Sequence, residues 1–545
     1  MQADNYLIPL LETYLKHYAI YPDSKELQLV LQSSPSFPSV LSVIQTCLYF
    51  GLKTNGYRAD FEALQKNEMP VIAHVRTKDS EKFVLVKQVT ERSVWYIDDT
   101  GHRMIEDTKE NFCASWTGVL ILSEKKMMTY RLGENKKSSK YRWAYGLFGL
   151  AVLCVILSGF LQHTLSIYTI CALLLKSIGI WVSFHLIRHE RSFFYSPINR
   201  FCHLRPSFDC DKVLRSGGAT IFNTISLADI GLVYFISGEI TLLLSVFSGL
   251  QKDSLLLLFY LSCCCIPYLL FSIIYQRFVI KKWCPLCLGV AGIVLLELSL
   301  FICYPDKNIW QTEILPFLYM LMFSFACAVL FLLFYYHLLR TEAEAFVNRT
   351  KYLQLKRTPA IFMPIFNRQA YTTVSSPYCI HIGNLHADIM ITTLLNPMCD
   401  PCKKVAKEII YLIKKFPENY VWQIRFDGIE ANAYEEANRT QLHLLELCRK
   451  AKDNQTKLRI MADWFEQQSF RRFLKLHPIR EISTETISTF REQQGENKQL
   501  NVKKVPAIRI NGRELPLEYA ITDIPLLCTD KLFTQLITCN PDKKT

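Results

Sequence analysis

The sequence predicts three domains of different fold class: an α+β domain at the N-terminus, an all-α transmembrane bundle in the middle and an α/β domain at the C-terminus. Long apolar runs dominate residues 143–338, whereas residues 1–125 and 345–545 carry charge at the density of ordinary globular proteins. At 545 residues, the chain is also too long for one domain. Nineteen cysteines are present, and three closely spaced pairs of them carry the chemical argument.

The first domain is predicted over residues 1–125, with helical spacing through 5–18 and 38–51. Short β-type runs follow: VIAHV, KFVLVKQV, SVWYIDD and GVLILSE. The polar and basic stretch 126–142 is the expected linker into the membrane. No cleavable signal peptide is predicted, because the apolar run LIPLLETYL is short, contains Glu12 and follows no basic region.

The membrane domain is predicted over residues 143–340, with about six helices. Six apolar segments each approach or exceed the roughly 20 residues that cross the hydrocarbon core. They are 143–162, 165–187, 228–249, 254–276, 284–304 and 312–338. The first two are separated by only a few residues near His163 and are expected to form a tight hairpin. Residues 188–227 form the longest polar stretch within this domain.

The net charge of +13 does not indicate nucleic-acid binding. The basic residues cluster beside the apolar runs, which is their usual position at membrane flanks, and no nucleic-acid motif accompanies them. These flanking residues are Lys136, Lys137, Lys140, Arg142, Arg188, Arg191, Lys281 and Lys282.

The C-terminal part is predicted as a connector, 341–376, followed by an α/β domain, 377–545. A strand, ADIMITTLL, leads through NPMCDPC into the amphipathic helix KKVAKEIIYLIKKF, and a second strand, YVWQIRFD, follows. A largely helical polar insert occupies about 433–495, and VPAIRINGREL closes the domain with a hairpin-like run.

The soluble cysteine pair, Cys399 and Cys402, lies where a strand turns into a helix. A thiol at a helix N-terminus is favoured as thiolate, so Cys399 is the expected nucleophile and Cys402 the resolving residue. A zinc site is disfavoured because this domain has no second C-x-x-C. The order of elements resembles the thioredoxin fold, and Pro506 matches the cis-proline that faces the C-x-x-C and contacts substrate in that fold.

The second pair, Cys284 and Cys287, opens a predicted transmembrane helix within the sequence WCPLC. The i, i+3 spacing puts both sulfurs on one helix face near the membrane surface. A single buried cysteine is usually an inert packing residue, but two at disulfide spacing favour redox chemistry. A hydrophobic wall beside such a pair also suits a lipid-soluble electron acceptor.

The third pair, Cys202 and Cys210, lies in the polar sequence FCHLRPSFDC. Loop cysteines can visit two partners, and thiol exchange needs only access and a thiolate. His203 and the surrounding arginines favour ionisation. Alone, this C-x7-C carries little weight. The remaining cysteines lie inside apolar helices or stand alone in soluble parts, and are expected to be structural.

Taken together, the membrane pieces resemble the vitamin K epoxide reductase family over roughly residues 165–338. The likeness rests on a first helix, a two-cysteine loop followed by DKVLRS, further helices, and a C-x-x-C that opens a later helix. It implies a four-helix core around a quinone of menaquinone or ubiquinone type. Cys284/Cys287 would be the redox pair, with Cys287 next to the quinone, and Cys202/Cys210 would be the shuttle that reduces that pair.

The segment ISLADIGLVYF also resembles the second core helix of that family. The resemblance makes Ser226 and Tyr234 candidate residues of the quinone pocket. Asp229 is notable because ionisable residues are rare so close to the membrane. Bacterial members of the family often carry a fused thioredoxin-like domain, as this sequence does.

The first domain resembles the C39 peptidase family, which has a papain-like fold, from about residue 24 to residue 125. The matching segments include FPSVLSVIQTCLYFGL, MPVIAHV, KFVLV, YIDDTG and WTGVLIL. Such a protease needs a thiolate and a histidine base. Here Lys82 occupies the position of the histidine, and the first helix supplies no nucleophilic cysteine. Asp98 or Asp99 occupies the position of the third residue of the catalytic triad. The domain is predicted to be inactive, either binding a peptide such as an export leader or a client, or serving a structural role.

The implied function is a membrane thiol oxidase that makes disulfide bonds in exported proteins. Electrons would pass from a substrate dithiol through Cys399/Cys402, Cys202/Cys210 and Cys284/Cys287 to a quinone. The expected partners are reduced secreted or periplasmic proteins and peptides, and the expected location is a bacterial inner membrane.

Three alternatives stay open to different degrees. Electrons could run backward, making a quinol-driven reductase or isomerase feeder. A zinc protein could use the four membrane-domain cysteines as ligands. An accessory role in peptide export remains, but an ABC exporter is disfavoured because no G-x-x-x-x-G-K-[ST] phosphate loop occurs in the sequence.

Chemistry and charge predict opposite orientations in the membrane. Disulfide formation belongs in an oxidising compartment, so the cysteine pairs should face the periplasm. However, segment 188–216 has six Lys/Arg and 277–282 has three, against Lys252 and Lys307 in the opposite loops. The positive-inside rule therefore places the cysteine loop in the cytoplasm. We expect the periplasmic orientation, because a thiol oxidase in the cytosol would oppose the thiol reductants of that compartment.

Overall fold

The described residues of a computed structural model cover most of the soluble domains and five membrane helices. They are 7–76, 81–97, 104–126, 166–191, 202, 207–214, 216–221, 225–304, 314–372, 377–428, 438–467, 470–479, 481–500, 502 and 504–527. The predicted apolar segment 143–162, Asp98, Asp99 and the linker beyond residue 126 lie outside these residues.

The N-terminal domain packs helices against a six-stranded antiparallel sheet. Its helices are α1 (Leu7–His17), α2 (Ser24–Gln32), α3 (Val40–Tyr49), α4 (Phe61–Lys66) and α5 (Lys109–Ser115). Its strands are β1 (Leu52–Arg58), β2 (Val71–Arg76), β3 (Glu81–Val89), β4 (Ser93–Ile97), β5 (Met104–Thr108) and β6 (Trp116–Lys126). The sheet order is β1-β6-β2-β3-β4-β5. The sequence interpretation omits α2, α4, α5, β1 and β5. The two strands lie at the edges of the sheet, and their sequences, LKTNGYR and MIEDT, contain no apolar run.

The membrane domain has long apolar helices joined by short elements. The helices are α6 (Ile167–Arg191), α7 (Cys210–Leu214), α8 (Leu227–Ser248), α9 (Gln251–Cys264), α10 (Ile266–Ile274), α11 (Pro285–Ile302) and α12 (Ile314–Arg357). Strands β7 (Thr220–Ile221) and β8 (Ile225–Ser226) form a small hairpin before α8. Among the described residues, five helices are long and apolar enough to cross a membrane, and α9, α10 and a π-helical segment, Tyr275–Ile280, together form one of these spans.

Helix α12 both spans the membrane and leaves it. Its 44 residues correspond to about 66 Å at roughly 1.5 Å per residue, which is about twice the 30 Å hydrocarbon core. The predicted last span and the first half of the predicted connector are therefore one continuous helix. Because Tyr335 packs beside the membrane cysteines, the extension beyond it emerges at the same membrane face as those cysteines.

The extension of α12 holds the two soluble domains together at that face. Arg357, which is 6% exposed, donates from Nη1 to the carbonyl of Val30 and to the hydroxyl of Ser33, both at 2.8 Å. One residue earlier, Lys356 pairs with Asp523 of the C-terminal domain at 2.7 Å. The N-terminal and C-terminal domains therefore lie on the same side as the membrane cysteines.

The C-terminal domain is an α/β sandwich with a helical insert. Its helices are α13 (Pro359–Asn367), α14 (Asp400–Lys415), α15 (Arg439–Lys450), α16 (Asn454–Gln467), α17 (Phe470–Leu476), α18 (Thr484–Gln499) and α19 (Ile524–Leu527). Its strands are β9 (Ile380–Gly383), β10 (Ile389–Leu395), β11 (Tyr420–Phe426), β12 (Ala507–Ile510) and β13 (Arg513–Glu514).

The sheet order of this domain is β13-β12-β10-β11-β9. Strands β10 and β11 are parallel and joined through α14, whereas β12 pairs antiparallel with β10 and β9 pairs antiparallel with β11. The insert α15–α18 lies between β11 and β12 in the sequence. A parallel β-α-β unit extended by an antiparallel hairpin is the thioredoxin-like arrangement, and all three predicted fold classes are confirmed.

A buried carboxylate, Glu446, joins two helices of the insert. Ser483 donates to it at 2.7 Å and Lys450 pairs with it at 2.7 Å, and Thr486 also donates to it. Burial alone would raise the pKa of Glu446, but these donors lower it to about 2. A depressed carboxyl pKa contributes stability that is present above the unfolded pKa of about 4.3 and is lost as pH falls toward the folded value.

Replacing Glu446 by glutamine is therefore expected to destabilise the insert in a pH-dependent way. At pH 7, the loss is expected to be about 3 kcal/mol, and it should shrink as the pH falls from about 5 to 2. Thermal unfolding of the purified full chain across this pH range measures the difference. The control Glu485→Gln removes a mostly exposed carboxylate of α18, the helix whose first turn contacts Glu446. A destabilisation that does not change with pH would contradict the assigned role.

Candidate active site

The membrane cysteine pair lies at the start of α11. Cys284 is the N-cap residue and is fully buried, and its sulfur accepts a hydrogen bond from the Cys287 amide at 3.3 Å. The Cys284 amide donates to Oε1 of Gln276 at 2.8 Å. Pro285 occupies the first helical position, where a missing N–H costs nothing. The WCPLC sequence thus begins the helix and fixes both sulfurs at its first turn.

The loop pair is joined as a disulfide next to this turn. Cys202 and Cys210 are bonded with Cα atoms 5.5 Å apart, and both residues are fully buried. The strand-like segment before Cys210 pairs with the residue before Cys284: the Asp209 amide donates to the Trp283 carbonyl at 3.0 Å, and the Trp283 amide donates to the Ser207 carbonyl at 2.9 Å. This pairing holds Cys210 beside the membrane pair.

Four cysteines consequently share one apolar cluster at the end of the helical bundle. Cys202, Cys210 and Cys284 are core members of that cluster, and Cys287 packs against it. Leu186 of α6 and Tyr335 of α12 belong to the same cluster. The loop disulfide and the membrane pair therefore lie in one packed region of the domain.

A mostly apolar cavity of about 100 Å³ has Cys287 in its wall. Its walls come from α6, α8, α10 and α11 and include Cys287, Tyr234, Tyr268, Val294, Glu190 and Ser183. Among the described residues, the hydroxyl of Ser183 is buried without a hydrogen-bond partner. An apolar cavity with an unpaired hydroxyl in its wall suits a flat, lipid-soluble ring that carries carbonyl acceptors, so the residues present fit the expected quinone.

The two predicted pocket residues are placed differently. Tyr234 lines the cavity. Ser226 instead caps α8: its hydroxyl accepts from the Asp229 amide at 3.3 Å, and the Asp229 carboxylate accepts from the Ser226 amide at 3.0 Å. Asp229 also pairs with Arg191 at 3.0 Å. Its position near the membrane is thus explained by a capping box and an ion pair.

Three charged residues within the predicted spans were not singled out by sequence reasoning. Lys176, Glu239 and Glu297 lie inside apolar runs and are buried in the bundle. Lys176 pairs with Glu297 at 3.0 Å, and Glu297 accepts from the Tyr234 hydroxyl at 2.7 Å. The signal was present in the sequence, because ionisable residues inside transmembrane segments are costly and mark functional positions.

The soluble pair lies at the carboxyl end of β10. Cys399 is the N-cap of α14 and is partly exposed, whereas Cys402 is fully buried. Burial raises the pKa of the Cys402 thiol to about 12, with smaller raising contributions from Cys399 and Asp427, although the Asn396 amide opposes the shift. Cys402 therefore stays protonated at neutral pH, and Cys399 is the accessible sulfur. Asp427 was not predicted from the sequence.

Pro506 lies beside this cysteine turn. The Val505–Pro506 peptide bond is cis. Ala507 pairs with Leu394 in the sheet, so the register places Pro506 opposite Leu395, the last residue of β10. The turn that contains Cys399 begins directly after this residue. The helical insert supports the same turn, since the indole of Trp464 donates to the Pro397 carbonyl at 3.1 Å.

The N-terminal domain does not bring protease groups together among its described residues. Its two described cysteines are Cys47, which is fully buried in α3, and Cys113, which lies in α5. Burial raises the pKa of the Cys47 thiol to about 12. Lys82 occupies β3 opposite Val75, and the neighbouring His74 contacts the Thr117 hydroxyl at 3.0 Å.

Residues 170–303 match the vitamin K epoxide reductase family, and residues 2–127 match the peptidase C39 family. No curated protein matches the chain significantly.

Several solved structures resemble single domains of the chain. A double glycine motif protease from an AMS/PCAT transporter, in complex with the leader peptide, is 23% identical over 21% of this chain and 79% of its own, with a TM-score of 0.19. BdbD from Bacillus subtilis is 13% identical over 31% and 98% of the two chains, with a TM-score of 0.25. A periplasmic thioredoxin-like protein from Salmonella enterica serovar Typhimurium is 14% identical over 30% of this chain and 92% of its own, with a TM-score of 0.25.

The family matches agree with the geometry of the domains described above. The match over 170–303 contains the loop disulfide and the C-x-x-C of α11, and the C-terminal sheet supplies the thioredoxin-like arrangement independently. The chain therefore carries a multi-pass membrane domain of the vitamin K epoxide reductase family between an N-terminal C39 peptidase family domain and a C-terminal thioredoxin-like domain.

Proposed function

We propose that this membrane thiol-disulfide oxidoreductase works as an oxidase, passing electrons from client dithiols through its own thioredoxin-like domain to a quinone. The observation that carries the proposal is the shared cluster of Cys202, Cys210 and Cys284, with Cys287 both packed against that cluster and lining an apolar cavity. A soluble C-x-x-C domain is held at the same membrane face by α12. All the cysteine pairs needed for a relay are thus present in a single chain.

The first exchange takes place in the thioredoxin-like domain. A client thiolate attacks the accessible Cys399 sulfur of an oxidised Cys399–Cys402 pair, and Cys402 leaves with a proton. A second client thiolate then displaces Cys399, so that the client holds the disulfide and the domain holds two thiols. Pro506, next to the turn, is the proposed contact for the client backbone.

The remaining exchanges carry the two electrons into the membrane. Cys399 and Cys402 reduce the Cys202–Cys210 disulfide, and the resulting loop thiols reduce a Cys284–Cys287 disulfide through Cys284. This leaves Cys287 as a thiol at the cavity wall. Cys287 and Tyr234 in the cavity wall would hold a quinone of menaquinone or ubiquinone type, which would supply the two-electron oxidation that restores the Cys284–Cys287 disulfide.

Within the proposal, the cysteine face is the periplasmic face of a bacterial inner membrane, because disulfides persist in oxidising compartments. The clients are then reduced secreted or periplasmic proteins and peptides. The N-terminal domain is proposed to hold a peptide rather than cleave it, since Cys47 is buried and Lys82 occupies the position of the histidine base. Cys202 and Cys210 are bonded to each other, which disfavours the alternative of a four-cysteine zinc site.

The test is quinone-dependent oxidation of a reduced peptide by the purified full chain. Cys287→Ala and Cys399→Ala are each expected to reduce turnover by roughly three orders of magnitude or more, because residues that act as one unit fail together. Cys303→Ala is the matched control, since Cys303 is an exposed cysteine at the other end of α11. Unchanged turnover in both variants would refute the relay. Reduction of an oxidised peptide by quinol, without the forward reaction, would favour the reductase alternative.

A further inference from the structure

A polar network crosses the interior of the membrane domain below the cavity. The Tyr234 hydroxyl bonds to the carboxylate of Glu297 and to the hydroxyl of Ser262, each at 2.7 Å. Lys176 pairs with the same carboxylate at 3.0 Å, and its ammonium lies 3.7 Å from the Tyr234 ring centroid. The Lys176 side chain packs directly against Gly238, where a Cβ atom would come within 2.8 Å of it.

This network lies on the side of the cavity that faces away from the cysteines. Helix α6 begins at Ile167, at the membrane face opposite Cys284, and Lys176 follows nine residues later, which corresponds to about 13 Å of helix. Glu297 lies ten residues beyond Cys287 on α11, about 15 Å deeper in the membrane. The charged pair therefore lies between the cavity and the opposite face.

A second, smaller cavity lies on the far side of the charged pair. Lys176, Glu297 and Ser262 line it together with Ala172, Leu255 and Phe301, and its volume of about 10 Å³ is close to that of one water molecule. Among the described residues, the Glu297 oxygen Oε1 is buried without a hydrogen-bond partner. A carboxylate that is 2% exposed and has a free oxygen in the membrane interior is expected to hold water or a proton.

Two hydroxyls extend the polar groups toward the opposite face. Thr169 lies two helical turns before Lys176 on the same face of α6, and Ser254 lies in the first turns of α9. Both residues are fully buried, and their hydroxyls have no partner among the described residues. Buried hydroxyls without partners in an apolar bundle are positions at which ordered water completes a hydrogen-bonded chain.

We infer that Glu297 and Tyr234, held by Lys176, carry protons from the membrane face opposite the cysteines to the cavity wall beside Cys287. This inference rests on the proposed function. Oxidation of the Cys284/Cys287 dithiol releases two electrons and two protons, and reduction of a quinone to a quinol takes up two of each. One of those protons comes from the Tyr234 hydroxyl, which is reprotonated by Glu297 from the opposite face. One thiol proton therefore leaves at the cysteine face, and each turnover moves one positive charge.

Vesicles in which the full chain is reconstituted with its cysteine face outward test this directly. Reduced peptide is added outside, quinone is dissolved in the lipid, and a pH dye is trapped inside. The expected result is the uptake of one internal proton for each disulfide formed. Tyr234→Phe keeps the Lys176–Glu297 pair but removes the hydroxyl, and it is expected to abolish internal uptake and slow oxidation by roughly 100-fold or more.

The control Glu342→Gln removes a carboxylate on the extramembrane part of α12 and is expected to leave internal uptake unchanged. Peptide oxidation by the unmodified chain with a constant internal pH would overturn the inference and leave the proposed function intact. No peptide oxidation by the unmodified chain would instead refute the proposed function. The melting temperature of each variant, measured without quinone, separates loss of the path from loss of folding.

A second readout needs neither quinone nor peptide. The infrared carboxyl signal of Glu297, identified by its loss in Glu297→Gln, is followed while the pH on one side of the vesicles is lowered. Protonation on acidifying the interior, with no response to the exterior, is the expected result. A response to the exterior alone would connect Glu297 to the cysteine face and would overturn the inferred direction.

Discussion

The double variant Cys202→Ala/Cys287→Ala is expected to accumulate a covalent link between Cys210 and Cys284 and to lose all turnover. Each of these two sulfurs loses its normal partner in the variant, and both residues lie in one apolar cluster. The backbone hydrogen bond between Asp209 and Trp283 also holds the two chain segments that carry these cysteines next to each other in space. Oxidised glutathione added to the purified variant supplies the oxidising equivalents: one of the two thiols forms a mixed disulfide with it, and the other displaces glutathione to give the Cys210–Cys284 link.

Peptide mass spectrometry of the unreduced protein would detect this link. The reciprocal variant, Cys210→Ala/Cys287→Ala, should give less of the corresponding Cys202–Cys284 link, because the β-bridge to Trp283 fixes Cys210 rather than Cys202. In the control Cys202→Ala/Cys303→Ala, the membrane pair stays complete and can resolve the mixed disulfide. A dominant link from Cys399 directly to Cys284 would show that the loop pair is bypassed.

Replacing Trp464 by alanine is expected to destabilise the thioredoxin-like domain by about 3–5 kcal/mol, the usual cost of truncating a buried aromatic residue. Trp464 is fully buried and packs edge-on against Phe473, with ring centroids 5.2 Å apart. Its indole also donates to the Pro397 carbonyl, two residues before Cys399. The variant therefore loses both core packing and the support of the cysteine turn.

Chemical denaturation of the full chain, followed by a probe in the C-terminal domain, measures this loss. Leu476→Ala is the control, because Leu476 belongs to the same insert but is 54% exposed. The conservative variant Trp464→Phe keeps most of the packing and removes only the hydrogen bond, at a cost of about 1–3 kcal/mol for the unpaired carbonyl. Equal effects in the alanine and phenylalanine variants would show that packing contributes little here.

Much of the architecture could be predicted from local patterns. Apolar length identified the membrane helices that the structure describes, since about 20 apolar residues are what a bilayer requires. The strand-C-x-x-C-helix order indicated a thioredoxin-like domain, because that order places a thiol at a helix N-terminus. In contrast, β5 was missed because MIEDT is an exposed edge strand, and such strands carry no apolar signal.

The contacts between elements could not be predicted in this way. The spacing of Cys202 and Cys210 carried little weight alone, and their relation to Cys284 came only from family resemblance. In the structure, a backbone bridge at Trp283 brings the loop next to α11. Ser226, a predicted pocket residue, is the N-cap of α8, and this role could not be predicted because cap geometry depends on the exact residue at which the helix begins.

The sequence by itself determined the three fold classes and the three cysteine pairs, because hydrophobic length, periodicity and C-x-x-C spacing are local properties of the chain. Only the tertiary structure decided which pairs meet, where Cys287 lies relative to a cavity, and that Lys176 and Glu297 are partners. Lys176 and Glu297 are 121 residues apart in the chain. Their pairing follows from helix packing, since a charge inside the bilayer is tolerated only where a distant helix supplies its partner.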